Sequence, residues 1–260
     1  MKYICSLLFI FLSLSAFSQF NMNVGYSLSA PQQQLGDNIK PLHSISAGIS
    51  YKLPGALSRV QTGIDFSVGT YASTRKQQTF NFDNGNSTKT WVNYSSNVAQ
   101  ANLSARVFIL QNKKLMPYVS GKAGYTSFYS NIYIEDPNDP GGCKALQKRT
   151  LIKDGTISTG YGGGLQLAWS LFSKKVKREN KFIDISINKI NGSHIDYINT
   201  KKLIDASNPP TGTNAKPLNV QFINATTQQI HEHQVAELYN TPLRMLECKI
   251  SMVFILNKKR

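Results

Sequence analysis

The chain alternates with a period of two. From Phe20 it runs Phe-Asn-Met-Asn-Val-Gly-Tyr-Ser-Leu-Ser, placing Phe20, Met22, Val24, Tyr26 and Leu28 on one face and Asn21, Asn23, Gly25, Ser27 and Ser29 on the other. Successive side chains of a strand point to opposite faces, so this pattern marks a strand with one apolar side. It recurs at Ser44–Leu53, Val60–Gly69, Ala99–Ile109, Val119–Thr126, Tyr161–Leu171, Ile183–Asn188 and Leu246–Phe254, which makes eight segments. The connections alternate too. Long ones (30–43, 70–97, 127–156 and 189–244) follow the odd segments, and short ones (54–59, 110–118 and 172–182) follow the even ones. A soluble sandwich has no reason to sort its loops by parity. A barrel with both termini in the periplasm does, with tight turns inside and long loops outside.

The N-terminus sets the compartment. Met1-Lys2 precedes an apolar run from Tyr3 to Leu14, and Ser15-Ala16-Phe17-Ser18 supplies the small residues of a cleavage box. Residues 1–18 are therefore expected to be a cleavable signal peptide, and 19–260 the exported barrel domain. Beyond Leu14 no apolar run approaches the roughly 20 residues of a spanning helix. A chain of this kind enters lipid only as a closed barrel, since no other strand arrangement satisfies every backbone group there. The fold class expected is all-β: an eight-stranded antiparallel up-and-down transmembrane β-barrel with long extracellular loops. A ten-stranded barrel is the alternative, because Leu218 to Ile223 alternates weakly within the last long connection.

The two faces meet different surroundings. One carries Ile, Val, Leu, Phe, Tyr and Trp, whereas the other is Ser, Asn, Gln and Gly with isolated charges of both signs. Small neutral side chains suit the crowded lumen of an eight-stranded barrel. Asp65, Asp184 and Glu247 point inward with Arg106, Lys122 and Lys249. They form either a lumenal charge network of ion pairs plugging the barrel or single charges at its water-filled ends. Tyr51, Trp169 and Phe254 near the turns, and Tyr26, Tyr94, Tyr125 and Tyr161 near the loops, fit two interfacial aromatic girdles.

Met116-Pro117-Tyr118-Val119-Ser120-Gly121-Lys122-Ala123-Gly124-Tyr125, the Gly-rich Thr159 to Leu167 and the strand Ile183 to Asn191 together resemble small outer-membrane β-barrels of the OmpA-like and porin-like superfamily, in the style common in Bacteroidetes. The last strand departs from the pattern, since Phe254 is followed by Ile-Leu-Asn-Lys-Lys-Arg instead of a terminal aromatic. No peptidoglycan-binding domain is expected after it. The resemblance implies outer-membrane lipid and lipopolysaccharide as surroundings, with other outer-membrane proteins as further partners.

Other motifs point less far. The formal charge of +15 is dispersed, with small clusters at 174–178 and 257–260 and no recognisable nucleic-acid module, so no nucleic acid is expected. Gly160-Tyr161-Gly162-Gly163-Gly164 continues a strand and lacks the Lys-Ser/Thr of a phosphate loop. His231-Glu232-His233 and the acidic turn-rich stretch from Glu135 to Gly142 read as loop, so neither metal nor cofactor is expected. Ser193-His194-Ile195-Asp196 has the residue types of a hydrolase triad, but strand geometry sends neighbours to opposite faces. Cys143 and Cys248 could form one bridge, although Cys248 reads as a small apolar side chain. The function expected is a non-enzymatic structural or interaction platform, or an accessory subunit of a larger assembly. A passive small-solute porin is the first alternative and an outer-membrane lipid-modifying enzyme the second.

Overall fold

The computed structural model describes residues 19–81, 87–111, 114–136, 145–172, 181–201, 203, 216–223 and 230–256. The expected signal at 1–18, Cys143 and the basic clusters at 174–178 and 257–260 lie outside them. Among the described residues nine strands run in chain order: β1 (Gln19–Pro31), β2 (Leu42–Lys52), β3 (Val60–Asn81), β4 (Ser87–Phe108), β5 (Leu115–Glu135), β6 (Ala145–Ala168), β7 (Lys181–Ile198), β8 (Lys216–Ile223) and β9 (Ile230–Leu256). A short helix, α1 (Gln34–Asn38), follows β1. Each strand from β1 to β6 pairs antiparallel with the next, β7 pairs with β9, and β9 returns to β1 from Phe20↔Leu256 to Pro31↔Met245. Eight strands thus close a barrel with no open edge in the paired zone. The ten-stranded alternative does not hold. Among the described residues β8 pairs with β9 alone, along its outer stretch Ile230–Leu238, and is not part of the closed ring.

The connections from β2 to β3 and from β4 to β5 are short, and the one from β6 to β7 lies largely outside the described residues. In the first, Gly55 holds a φ of +64°, a conformation open to glycine, and Leu53 N donates to Val60 O at 3.0 Å. The sixth strand ends three residues before the alternation does: it stops at Ala168, and Trp169–Leu171 form a 3-10 turn closed by Phe172 N on Trp169 O at 3.0 Å.

On the other side, the long connections 70–97, 127–156 and 189–244 contain paired strand among the described residues. β3 and β4 stay paired out to Asn81↔Ser87, and β5 and β6 to Glu135↔Ala145. Along these strands the amphipathic phase inverts. Near the turns the apolar residues face outward: Ile64, Phe66, Leu103, Val119, Ile187 and Ile250 are all exposed. Further out they face inward: Val98, Phe128, Ile132, Ile190, Leu243 and Met245 are buried. A wall in lipid is apolar outside, whereas a wall in water must place its apolar side within. Bulges between Thr70 and Ala72 in β3, and between Asn191 and His194 in β7, further shift the count.

The outward apolar belt therefore has a measurable height. On β9 it runs through Leu256, Phe254, Met252, Ile250, Cys248 and Leu246. At about 3.4 Å per residue and a tilt near 40°, that is about 25 Å, the hydrocarbon height of such barrels. Tyr26, Tyr125 and Tyr161 are exposed on the outer wall, as a girdle requires. Tyr94 is not part of one; it lies past the inversion and points into the mouth, buried.

Candidate functional site: a braced lumen under an apolar plug

The alternation that turns Ile and Val to lipid turns Asn, Ser and the charged residues inward, so the lumen is built by the same strands. All six inward charges predicted from the sequence lie there, and the structure brings them together in three pairs. Arg106 Nη1 is 2.7 Å from Asp184 Oδ2, Lys122 Nζ is 2.6 Å from Glu247 Oε1, and Lys249 Nζ is 3.2 Å from Asp65 Oδ1. Each pair joins strands three places apart around a ring of eight: β4 to β7, β5 to β9, and β9 to β3. They are braces across the bore, not rungs between neighbours.

Neutral partners complete the sites. Tyr118 donates its hydroxyl to Asp184 Oδ1 at 2.6 Å, and the Arg106 guanidinium lies 5.0 Å from the Tyr118 ring centre. Ser104 donates to Asp65 Oδ2 at 2.8 Å and Asn23 Nδ2 to Asp65 Oδ1 at 3.3 Å. Asn188 Nδ2 donates to Glu247 Oε1 at 3.4 Å and Ser120 to Asn188 Oδ1 at 2.9 Å. Charge taken out of water is tolerated when paired and hydrogen-bonded in this way. The strand glycines make room for it. A Cβ on Gly164 would overlap the Tyr118 ring on the neighbouring strand, and one on Gly162 would overlap the Ile187 carbonyl.

The outer mouth is closed by a second device that the sequence pattern did not reveal. Gln33, with a φ of 55°, turns the chain after β1 back over the bore, so that α1 lies across it. Leu35, Ile39 and Leu42 are buried there against Tyr71, Phe128, Tyr197, Leu243 and Met245. Phe128 sits 5.4 Å from Tyr71 and 6.0 Å from Tyr197, centre to centre. Asn38 donates to the Tyr197 hydroxyl at 3.0 Å, Asn199 donates to Asn38 O at 2.6 Å, and Tyr71 donates to Ile198 O at 2.9 Å. The inward parity of Leu42 and Val98 was a signal for this plug; the helix that completes it leaves no alternation to read.

Toward the turns the bore ends on Phe108, Tyr118, Ala168, Phe182 and Val253, all buried. Polar braces thus lie between two apolar closures.

The remaining motifs take ordinary places. Gly160 to Gly164 is strand β6. His194 Nδ1 is 2.7 Å from Asn240 Oδ1, and Asn240 Nδ2 donates to Asp196 Oδ1 at 2.5 Å, so an amide stands between imidazole and carboxylate. His231-Glu232-His233 falls on β9 opposite β8, not in a loop. Glu135 is buried and paired with Arg75 at 2.7 Å, while 137–144 lie outside the described residues. Cys248 is free and exposed on the outward belt. Among the described residues no group of three His, Cys, Asp or Glu is placed to hold a metal.

No protein-family model matches the chain, and no curated protein does. Among solved structures it is similar to Neisserial surface protein A, at 9% identity over 91% of this chain and 96% of that one, with a TM-score of 0.38. It is also similar to Ail, the attachment invasion locus protein of Yersinia pestis, at 11% identity over 92% and 99%, with a TM-score of 0.38. A major outer membrane protein from Thermus thermophilus gives 9% over 92% and 99%, at 0.43. At such values the barrel assignment rests on the strand pairing of this chain.

Proposed function

We propose that the protein is a non-enzymatic outer-membrane barrel whose sealed bore anchors a display of paired strands in the external medium. Residues 1–18 serve as its export signal and are removed before Gln19. One observation carries this reading: the braces between β3, β4, β5, β7 and β9 cross the lumen beneath the α1 plug, so the bore holds side chains where a pore would hold water. The outward belt supports lipid as its surroundings. The extensions of β3 to β6, with β8 and the start of β9, supply a strand-built surface beyond the belt on which a partner, including another outer-membrane protein, could dock.

The test is reconstitution of the mature chain in planar bilayers. A folded barrel, recognised by heat-modifiable gel migration, is expected to give no conductance steps. Stable unitary steps from such material would overturn the sealed-bore reading and favour a small-solute porin.

A further inference from the structure

We propose that Lys189 and Arg244 form a phosphate clamp for a phosphorylated glycolipid of the outer leaflet. The inference deepens the membrane reading above and rests on it.

The apolar runs of two adjoining strands each end in a cation at the inversion line. On β7 the outward face reads Ile183, Ile185, Ile187 and then Lys189; on β9 it reads Ile250, Cys248, Leu246 and then Arg244. Lys189 is paired with Leu246 and Asn191 with Arg244, so the two cations are diagonal neighbours, about 7–8 Å apart at the backbone. Both are exposed, and neither makes an ion pair with a described residue. The nearest outward carboxylate along β7, Asp196, is held by Asn240.

The opposite side of the barrel differs. At the same line β2, β3 and β4 carry His43, Thr70 and Asn97, which face one another in register and carry no Lys or Arg. A ring of positive charge would suit any anionic surface. A pair confined to one side, directly above Ile187, Leu246 and Ile250, suits a ligand with phosphate at that height and acyl chains below it. Arg binds phosphate through its planar fork and Lys as a point charge, and both stems reach along apolar surface while their heads stay at the interface. Phosphorylated glycolipid combines that headgroup with chains that lie against the isoleucines.

The experiment uses the full mature barrel in detergent. Retention of bisphosphorylated lipid A is compared by native mass spectrometry with that of the same lipid after phosphatase treatment. The phosphorylated form is expected to be held preferentially, and Lys189→Gln with Arg244→Gln to weaken it about tenfold or more, on the scale of two interfacial cations. Lys189→Arg with Arg244→Lys should retain binding, as should Lys148→Gln on the outer extension. Equal retention of both lipids by the native barrel, or undiminished preference in the Gln variant, overturns the clamp. So does full displacement by millimolar inorganic phosphate, which would assign the site to a free anion. Failure of the native chain to migrate as a heat-modifiable barrel would instead defeat the membrane reading beneath it.

Discussion

Arg106 on β4 and Asp184 on β7 meet across the bore at 2.7 Å, with the Tyr118 hydroxyl completing the carboxylate from the other side. The two residues are 78 apart in sequence and their strands are not neighbours in the sheet. The pair ties opposite walls of the cylinder, and its worth is visible only when it is broken unevenly.

Asp184→Ala should destabilise the barrel by about 3–5 kcal/mol, because it strands a buried guanidinium. Replacing both partners, Arg106→Met with Asp184→Leu, should cost far less, since no unpaired charge remains. Urea unfolding in lipid vesicles measures both. A double variant as unstable as the single one would mean that the charges themselves, and not their pairing, hold the walls.

Leu35→Ala should cost about 2–5 kcal/mol, the usual range for truncating a buried leucine, and should loosen α1 over the mouth. A cysteine placed at Ile39, buried in the native plug, should then react with a water-soluble maleimide much faster than it does with Leu35 intact. Unchanged labelling would show that α1 is held without its leucine.

Lipid contact can be read on one strand. Ile250→Arg, near the middle of the β9 belt, should destabilise insertion by about 2–4 kcal/mol. In a Cys143→Ser background, Cys248 on the same outward face should be alkylated by a membrane-permeant reagent and protected from a charged one. Rapid reaction with the charged reagent in vesicles would remove β9 from lipid.

Gly162→Ala should be poorly tolerated, because the added Cβ meets the Ile187 backbone, which cannot move aside as a flexible side chain can. Overpacking of this kind costs about 1–3 kcal/mol. Gly121→Ala, where a Cβ meets nothing within 4 Å, is the control and should leave the urea midpoint unchanged.

Sequence alone determined the belt. Strands such as Phe20–Leu28 and Ile183–Ile187 were legible because lipid on one side and a crowded lumen on the other force polarity to switch at every residue. The parity of Asp65, Arg106, Lys122, Asp184, Glu247 and Lys249 followed from that alternation. Which charge meets which did not: pairing depends on closing β1 on β9 and on the stagger of strands around the ring, a property of the whole cylinder. The outer extensions were illegible for another reason. Past Lys189 and Arg244 water replaces lipid, the apolar side moves from Ile187 and Ile250 outside to Ile190 and Met245 within, and bulges break the count. α1 joins that inner core from a stretch with no period to read, so only the assembled barrel could bring Leu35 against Phe128 and Tyr197.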